Sequence, residues 1–270
     1  MTRAPAGRWA LAMALLMGWV AQIGLTVGRD GFASPRGLAL WMDLEFFTTP
    51  APWIVMSAGF LVALLAFTFR KQETMAGWGV FLLLGWVTFI ELCVRGGEVP
   101  THAKMLPAVA LFGLLMGRLL RRGRTEVEQD RWGQELALGM VGAMFCLSAL
   151  SKWGAMGGGW TDGRVHALLM YERGVGVSGL GAELRLWMAH RPDLCGALAT
   201  STLLVEFTGF LLIFRATRRA WVIAAVSLLI GFQVLVGVGM NLSWILVLLA
   251  LAWSRFGSHD PSDQSEVAAA

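Results

Sequence analysis

The sequence predicts an all-α fold, a polytopic transmembrane helical bundle of about eight helices, and three observations carry the prediction. Of 270 residues, 56% are apolar and only 15% charged, too few charges to cover the surface of a water-soluble domain of this size. The apolar residues come in runs of about 20, the length of a helix crossing a hydrocarbon core of ~30 Å. The basic residues fall in short clusters between those runs. That is the pattern of topology signals, so no nucleic-acid partner is expected despite a formal charge of +4.

The first run, 9–27, follows Arg3 and Arg8. It exceeds the ~7–15 apolar residues of a signal peptide, and no small-x-small cleavage site follows, so it reads as a retained helix. Runs 52–69, 75–94, 104–120, 133–153 and 193–214 have roughly spanning length. Residues 220–255 are too long for one crossing and should break at Gly237-Val238-Gly239-Met240-Asn241, giving spans 220–237 and a short 241–255. With the N-terminus inside, 13 Lys and Arg fall in inner segments and 8 in outer ones. The bias puts both termini in the cytoplasm of a multi-pass cell-membrane protein. Trp9, Trp53, Trp78, Trp132, Trp153, Trp221 and Trp253 lie near span ends, as an interfacial belt requires.

Two outer loops are long. Both 28–51 and 154–192 carry apolar side chains among charges, as helices lying in the interface do. The stretch 154–162 is too Gly-rich for a helix and is expected to form an ordered turn or re-entrant loop. The 33 glycines suit close helix packing in lipid. Residues 1–256 are expected to form the membrane domain and 257–270 a disordered polar tail.

Cys93, Cys146 and Cys195 are odd in number and widely spaced, which excludes a disulfide framework or a CxxC motif. The four histidines fall outside the apolar runs, so neither a haem clamp nor another metal site is expected. Motifs of the common soluble enzyme classes are absent.

Chemistry is therefore sought among ionisable groups inside spans, which are costly there and functional by default. Glu91, Lys152 and Glu206 qualify. Glu91 and Lys152 both lie near an outer helix end, level with the loop carrying His102 and with the turn Trp160-Thr161-Asp162-Gly163. A vestibule holding Lys152, His102, Glu91 and Asp162 follows. Glu206 lies 13 residues into its span, roughly 20 Å deep at ~1.5 Å per residue. A Lys152–Glu206 salt bridge is not expected, and Gln233 is the expected hydrogen-bond partner, making Glu206 and Gln233 structural polar groups. Lys152 reads either as a snorkelling anchor beside Trp153 or as a base, since a desolvated amine can give up its proton and a guanidinium effectively cannot. His102 reads either as a solvated loop residue or as a group that orients a ligand. His166 and His190 carry no supporting pattern.

The run Ser151-Lys152-Trp153, a Gly-rich gap, Trp160-x-Asp162-Gly163, then Leu204-Val205-Glu206-Phe207 and Phe214-Arg215-x-x-Arg218-Arg219 resembles the HTTM family. This is the membrane domain of vitamin K-dependent gamma-carboxylases and their bacterial relatives. The resemblance covers about residues 75–253, and the spacing from lysine to W-x-D-G is its best part. It implies that Lys152 removes a proton from a reduced naphthoquinone-type lipid, with His102, in Thr101-His102-Ala103-Lys104, as a second catalytic residue and Trp160, Asp162 and Glu91 positioning the substrate. The chain has Phe232-Gln233 where the family has Phe-His. The lumenal domain that holds a protein substrate is expected to be lacking, so carboxylation by this chain alone is not expected. A second resemblance is to DoxX- or MauE-like membrane proteins, which carry G-x-x-K near a helix end and a later Glu. It implies a non-catalytic scaffold or assembly partner for a redox protein in the same membrane. Membrane lipid is the partner common to both.

Overall fold

The computed structural model describes residues 6–26, 46, 49–69, 73–94, 104–236 and 241–254. Among them there is no strand. The order is α1 (Ala6–Thr26), α2 (Pro50–Thr68), α3 (Glu73–Val94), α4 (Met105–Leu120), α5 (Glu126–Met156), a 3-10 segment (Gly157–Thr161), α6 (Gly163–Gly174), α7 (Leu180–Ala189), α8 (Pro192–Phe207), a second 3-10 segment (Thr208–Leu212), α9 (Arg215–Val236) and α10 (Asn241–Trp253).

Local chemistry sets several boundaries. Thr125 closes a capping box with Glu128 at the start of α5, each side chain serving the other's backbone N–H. Proline stands in the first turn of α2 and α8, where its missing N–H costs nothing. Helices α9 and α10 are separate elements on either side of the predicted break, whose residues 237–240 lie outside the described set. The interfacial helix expected in 28–51 and the tail 257–270 fall almost wholly outside it as well.

Among the described residues six helical segments are long and apolar enough to cross a membrane, and α4 and α10 are shorter apolar helices. Ile54, Val55, Val62, Leu82 and Leu147 are each about two-thirds exposed or more. Branched apolar side chains facing outward from helices of this length are what a hydrocarbon surrounding favours.

Small residues bring the helices together, as lipid-embedded packing requires. A Cβ on Gly113 would lie 2.5 Å from Ala137 Cα, and one on Gly117 would lie 2.6 Å from Gly133 Cα, so α4 and α5 touch backbone to backbone. Gly142 and Gly209 bring α5 equally close to the second 3-10 segment. A larger residue at any of these sites would push the pair apart. The core of α1 and α2 centres on Trp19, stacked on Phe60 at 4.2 Å and donating from Nε1 to Ser57 Oγ at 3.0 Å. Two tryptophans expected in the interfacial belt belong to the interior instead. Trp53 packs edge-on to Trp19, and Trp221 is buried against Phe145 with its Nε1 donating to the Val205 carbonyl at 3.0 Å.

The two ends of the bundle differ. Helices α6 and α7 cap one end and pack on each other and on α8 and α9. At the opposite end Asp130 is shared by Arg8 and Arg118, and Glu135 by Arg215 and Arg218. The Gly-rich stretch 154–162 is neither a simple turn nor re-entrant. It continues α5 helically to Met156 and then as a 3-10 segment to Thr161.

Candidate functional site

That continuation decides which groups meet. From Lys152 the chain climbs helically and then as 3-10 to Thr161, about 16 Å at ~1.5 and ~2.0 Å per residue. Gly163, at the start of α6, abuts the Pro192 carbonyl at the start of α8, so the two helices begin at a common level. Glu206 lies 14 residues below that level along α8, about 21 Å. Lys152 and Glu206 thus sit within one side chain's reach, and Lys152 Nζ is ion-paired with Glu206 Oε1. This corrects the expectation that they could not meet. The expectation ended the fifth span at 153 and placed Lys152 at the surface, whereas α5 and its 3-10 extension bury it deeper.

The pair is mostly shielded, with side-chain exposures of 23% for Lys152 and 13% for Glu206. Glu206 Oε2 is buried without a hydrogen-bond partner. Trp160 lies over the amine, its ring centroid 5.0 Å from Lys152 Nζ, and its own Nε1 is likewise buried and unpartnered. The Trp160 carbonyl accepts from His166 Nε2 at 2.6 Å, and the two rings meet edge-on at 5.2 Å.

Beside the pair, which does not itself line it, is a cleft of about 100 Å³ between α6, α7, α8 and α9, walled by Trp160, His166, Met170, Met188, Leu198 and Phe232 among others. Cys195, Leu198, Ala199 and Thr202 of α8 also line it. Their spacing marks one face of the helix, and the next residue on that face is Glu206. The cleft wall therefore leads down α8 to the ion pair. Outside the cleft, the guanidinium of Arg185 of α7 donates to the carbonyls of Leu235 at 2.8 Å, Val234 at 3.3 Å and Arg173 at 3.1 Å. One side chain thus ties the end of α9 to the end of α6. No family model matches this chain, and no curated protein or solved structure matches it.

The structure gathers Lys152, Glu206 and Trp160 and sets Glu91 and Asp162 of the expected vestibule apart from them. Glu91 is fully buried and paired with Lys104, while Gln22 Nε2 donates to Glu91 Oε2 at 3.1 Å and Gln22 Oε1 accepts from Lys104. The Gly113–Ala137 and Gly117–Gly133 contacts set an antiparallel register that places Lys104 opposite Cys146. That is about 9 Å along α5 from Lys152. Asp162 is exposed and accepts from the Arg164 N–H at 2.9 Å, so its carboxylate caps α6. Gln233 is exposed and does not share Glu206's depth. The Trp221–Val205 hydrogen bond sets Trp221 level with Glu206, and Gln233 lies twelve residues farther along α9, about 18 Å. His102 lies outside the described residues.

Sequence reasoning missed Lys104, Gln22 and His166. Lys104 was counted as an outer loop charge, yet it is 2% exposed. A signal existed in composition, for the chain has only three lysines and 19 arginines, and both described lysines pair with intramembrane glutamates. His166 follows the cap Asp162 by one helical turn, which aims it back at the Trp160 backbone. Among the described residues no group of three or more His, Cys, Asp and Glu is arranged to hold a metal ion.

Proposed function

We propose that this is a multi-pass membrane protein with eight crossings and both termini cytoplasmic, whose α6–α9 cleft holds an apolar lipid bearing a hydroxyl, and that Lys152 with Glu206 manages the proton on that hydroxyl. The two shorter apolar helices complete an even number of crossings with the six long ones, and the Lys and Arg bias orients them.

The observation that carries the site is the pairing of two orphans. Trp160 Nε1 can only donate and Glu206 Oε2, as a carboxylate oxygen, accepts; both are buried beside Lys152 and neither has a partner among the described residues. A hydroxyl accepts and donates at once, so it is the simplest group to serve both. Leaving them unserved would cost about 1–3 kcal/mol each. Apart from His166, Thr202 and Ser227 the cleft is lined by apolar side chains, as a site for an apolar ligand is. A reduced naphthoquinone with a prenyl tail is apolar, carries phenolic hydroxyls and has two reducing electrons to give. This is the ligand class implied by the HTTM resemblance.

The residues divide the work as follows. The Lys152–Glu206 pair carries no net charge whether its proton sits on nitrogen or on oxygen. With the proton on Glu206, the Lys152 lone pair takes the hydroxyl proton. The resulting ammonium and the Trp160 N–H then face the oxygen that released it. Phenols and alkylammonium ions have nearly equal ordinary acidity, so a neutral amine is matched to this proton, and the cost of the step lies in first moving the pair's own proton from nitrogen to the carboxylate.

The test is mass spectrometry of lipid retained by detergent-purified protein, followed by oxygen uptake on addition of reduced 2-methyl-1,4-naphthoquinone. Lys152→Met is expected to retain the lipid and lower uptake by about 10²–10⁴-fold, the usual weight of a positioned base. Unchanged uptake removes the catalytic role from Lys152. Recovery of a stoichiometric protein instead of lipid favours the scaffold reading.

A further inference from the structure

His166 has no place in the sequence-based site, but the geometry gives it one. Its Nε2 lies 2.6 Å from the Trp160 carbonyl. A carbonyl oxygen only accepts, so Nε2 must carry the proton, and the neutral ring then has its lone pair on Nδ1. Among the described residues no hydrogen bond occupies Nδ1, and the residue forms part of the cleft wall. The same Trp160 that fixes this tautomer also covers Lys152 Nζ and holds an unpartnered Nε1.

We infer that His166 Nδ1 is a hydrogen-bond acceptor for the ligand in the α6–α9 cleft, making His166 the residue that selects a reduced, hydroxyl-bearing quinol over its oxidised or capped forms. The inference rests on the proposed ligand class. A quinol has two hydroxyls on opposite edges of its ring, and Trp160, whose carbonyl holds His166 and whose ring covers Lys152, joins two polar stations. Trp160 Nε1 and the Lys152–Glu206 pair address one hydroxyl, and His166 Nδ1 accepts from the other. A quinone has only carbonyl acceptors, so it leaves Nδ1 unserved. A dimethyl ether of the quinol has the same ring and no donor.

Ligand binding separates the two stations. Binding of reduced 2-methyl-1,4-naphthoquinone and of its dimethyl ether is followed under anaerobic conditions by quenching of tryptophan fluorescence, in wild type, His166→Gln and His166→Asn. Gln reaches the Trp160 carbonyl as Nε2 does but lacks the Nδ1 acceptor; Asn places its amide oxygen near the Nδ1 position. Wild type is expected to prefer the quinol over the ether by roughly tenfold or more, the worth of one or two hydrogen bonds. His166→Gln should lose roughly threefold to tenfold of that preference with ether binding unchanged, and His166→Asn should recover part of it. A preference equal to wild type in His166→Gln overturns the role of His166 while leaving the cleft reading intact. Failure of wild type to bind either compound overturns both.

Discussion

Replacing Lys152 by methionine removes the cation beside Glu206 while keeping the length and most of the apolar bulk of the side chain. A fully buried pair broken from one side loses about 3–5 kcal/mol, and an exposed pair about 0–1. With side-chain exposures of 23% and 13%, this pair lies between, and about 1–3 kcal/mol is expected for Lys152→Met. The loss arises on Glu206, whose Oε2 already lacks a partner, so deleting Nζ strips its described counter-charge. Glu206→Leu should cost less, because the freed ammonium keeps the Trp160 ring at 5.0 Å and can extend toward water. In the double variant neither charge remains, and most of the loss should be recovered. The four proteins form a double-mutant cycle read by thermal unfolding in detergent, monitored by fluorescence of the 13 tryptophans. For a chain of this size about 2 kcal/mol moves the midpoint by roughly 4–8 °C. A coupling of about 1–3 kcal/mol is expected. Strict additivity, with the double variant as unstable as the summed singles, would refute the claim that the two groups share one buried site.

Two further outcomes follow from the packing. Gly142→Ala and Gly117→Ala place a Cβ within about 2.5–2.6 Å of backbone on the facing segment and should each cost about 1–3 kcal/mol by overpacking, whereas Gly139→Ala, with nothing within 4 Å, should be neutral or gain up to about 1 kcal/mol of helix propensity. Equal melting points for Gly142→Ala and Gly139→Ala would discard the close-approach account. Arg185→Gln removes the guanidinium that joins the carbonyls of Leu235, Val234 and Arg173. In a background with Cys93 and Cys146 changed to alanine, alkylation of buried Cys195 by N-ethylmaleimide should then accelerate by about tenfold or more, and an unchanged rate would show that Arg185 does not hold α7 over the cleft.

Much of the helical framework is legible in the sequence because it depends on run length alone. The break at Gly237-Val238-Gly239-Met240-Asn241 is the clearest example, since α9 ends at Val236 and α10 begins at Asn241. The site was less legible because it depends on depth, and depth depends on where each helix stops. Composition marks 154–162 as a place where an α-helix weakens. It does not distinguish a chain that turns away from one that tightens into 3-10 and keeps climbing. That one distinction moves Lys152 from the surface to the level of Glu206. Depth also failed for Gln233 because a span end is no fixed reference, and the Trp221–Val205 hydrogen bond sets a register that no periodicity reveals. Lys104 escaped for a different reason. A lysine at the mouth of a helix looks solvated unless its neighbour is known, and here Gly18 of α1 provides the room, since a Cβ there would stand 2.9 Å from Lys104 Cα.

The described residues thus hold two lysine–glutamate pairs, and their surroundings argue for different uses. Lys104 and Glu91 are 2% and 0% exposed, and Gln22 serves both partners at once with its amide oxygen and nitrogen. A polar group so enclosed between α1, α3 and α4 specifies how three helices meet, because any other register would strand a charge in an apolar interior. Lys152 and Glu206 are as closely paired but less enclosed. One carboxylate oxygen is unpartnered, an aromatic face covers the amine, and the α8 face bearing Glu206 is the face that lines a cleft. A group that must exchange a proton with a ligand needs this unfinished coordination, since a fully satisfied pair has no vacancy to offer. The difference between the pairs lies in the partners each still lacks, and it points the chemistry to the α6–α9 end of the bundle.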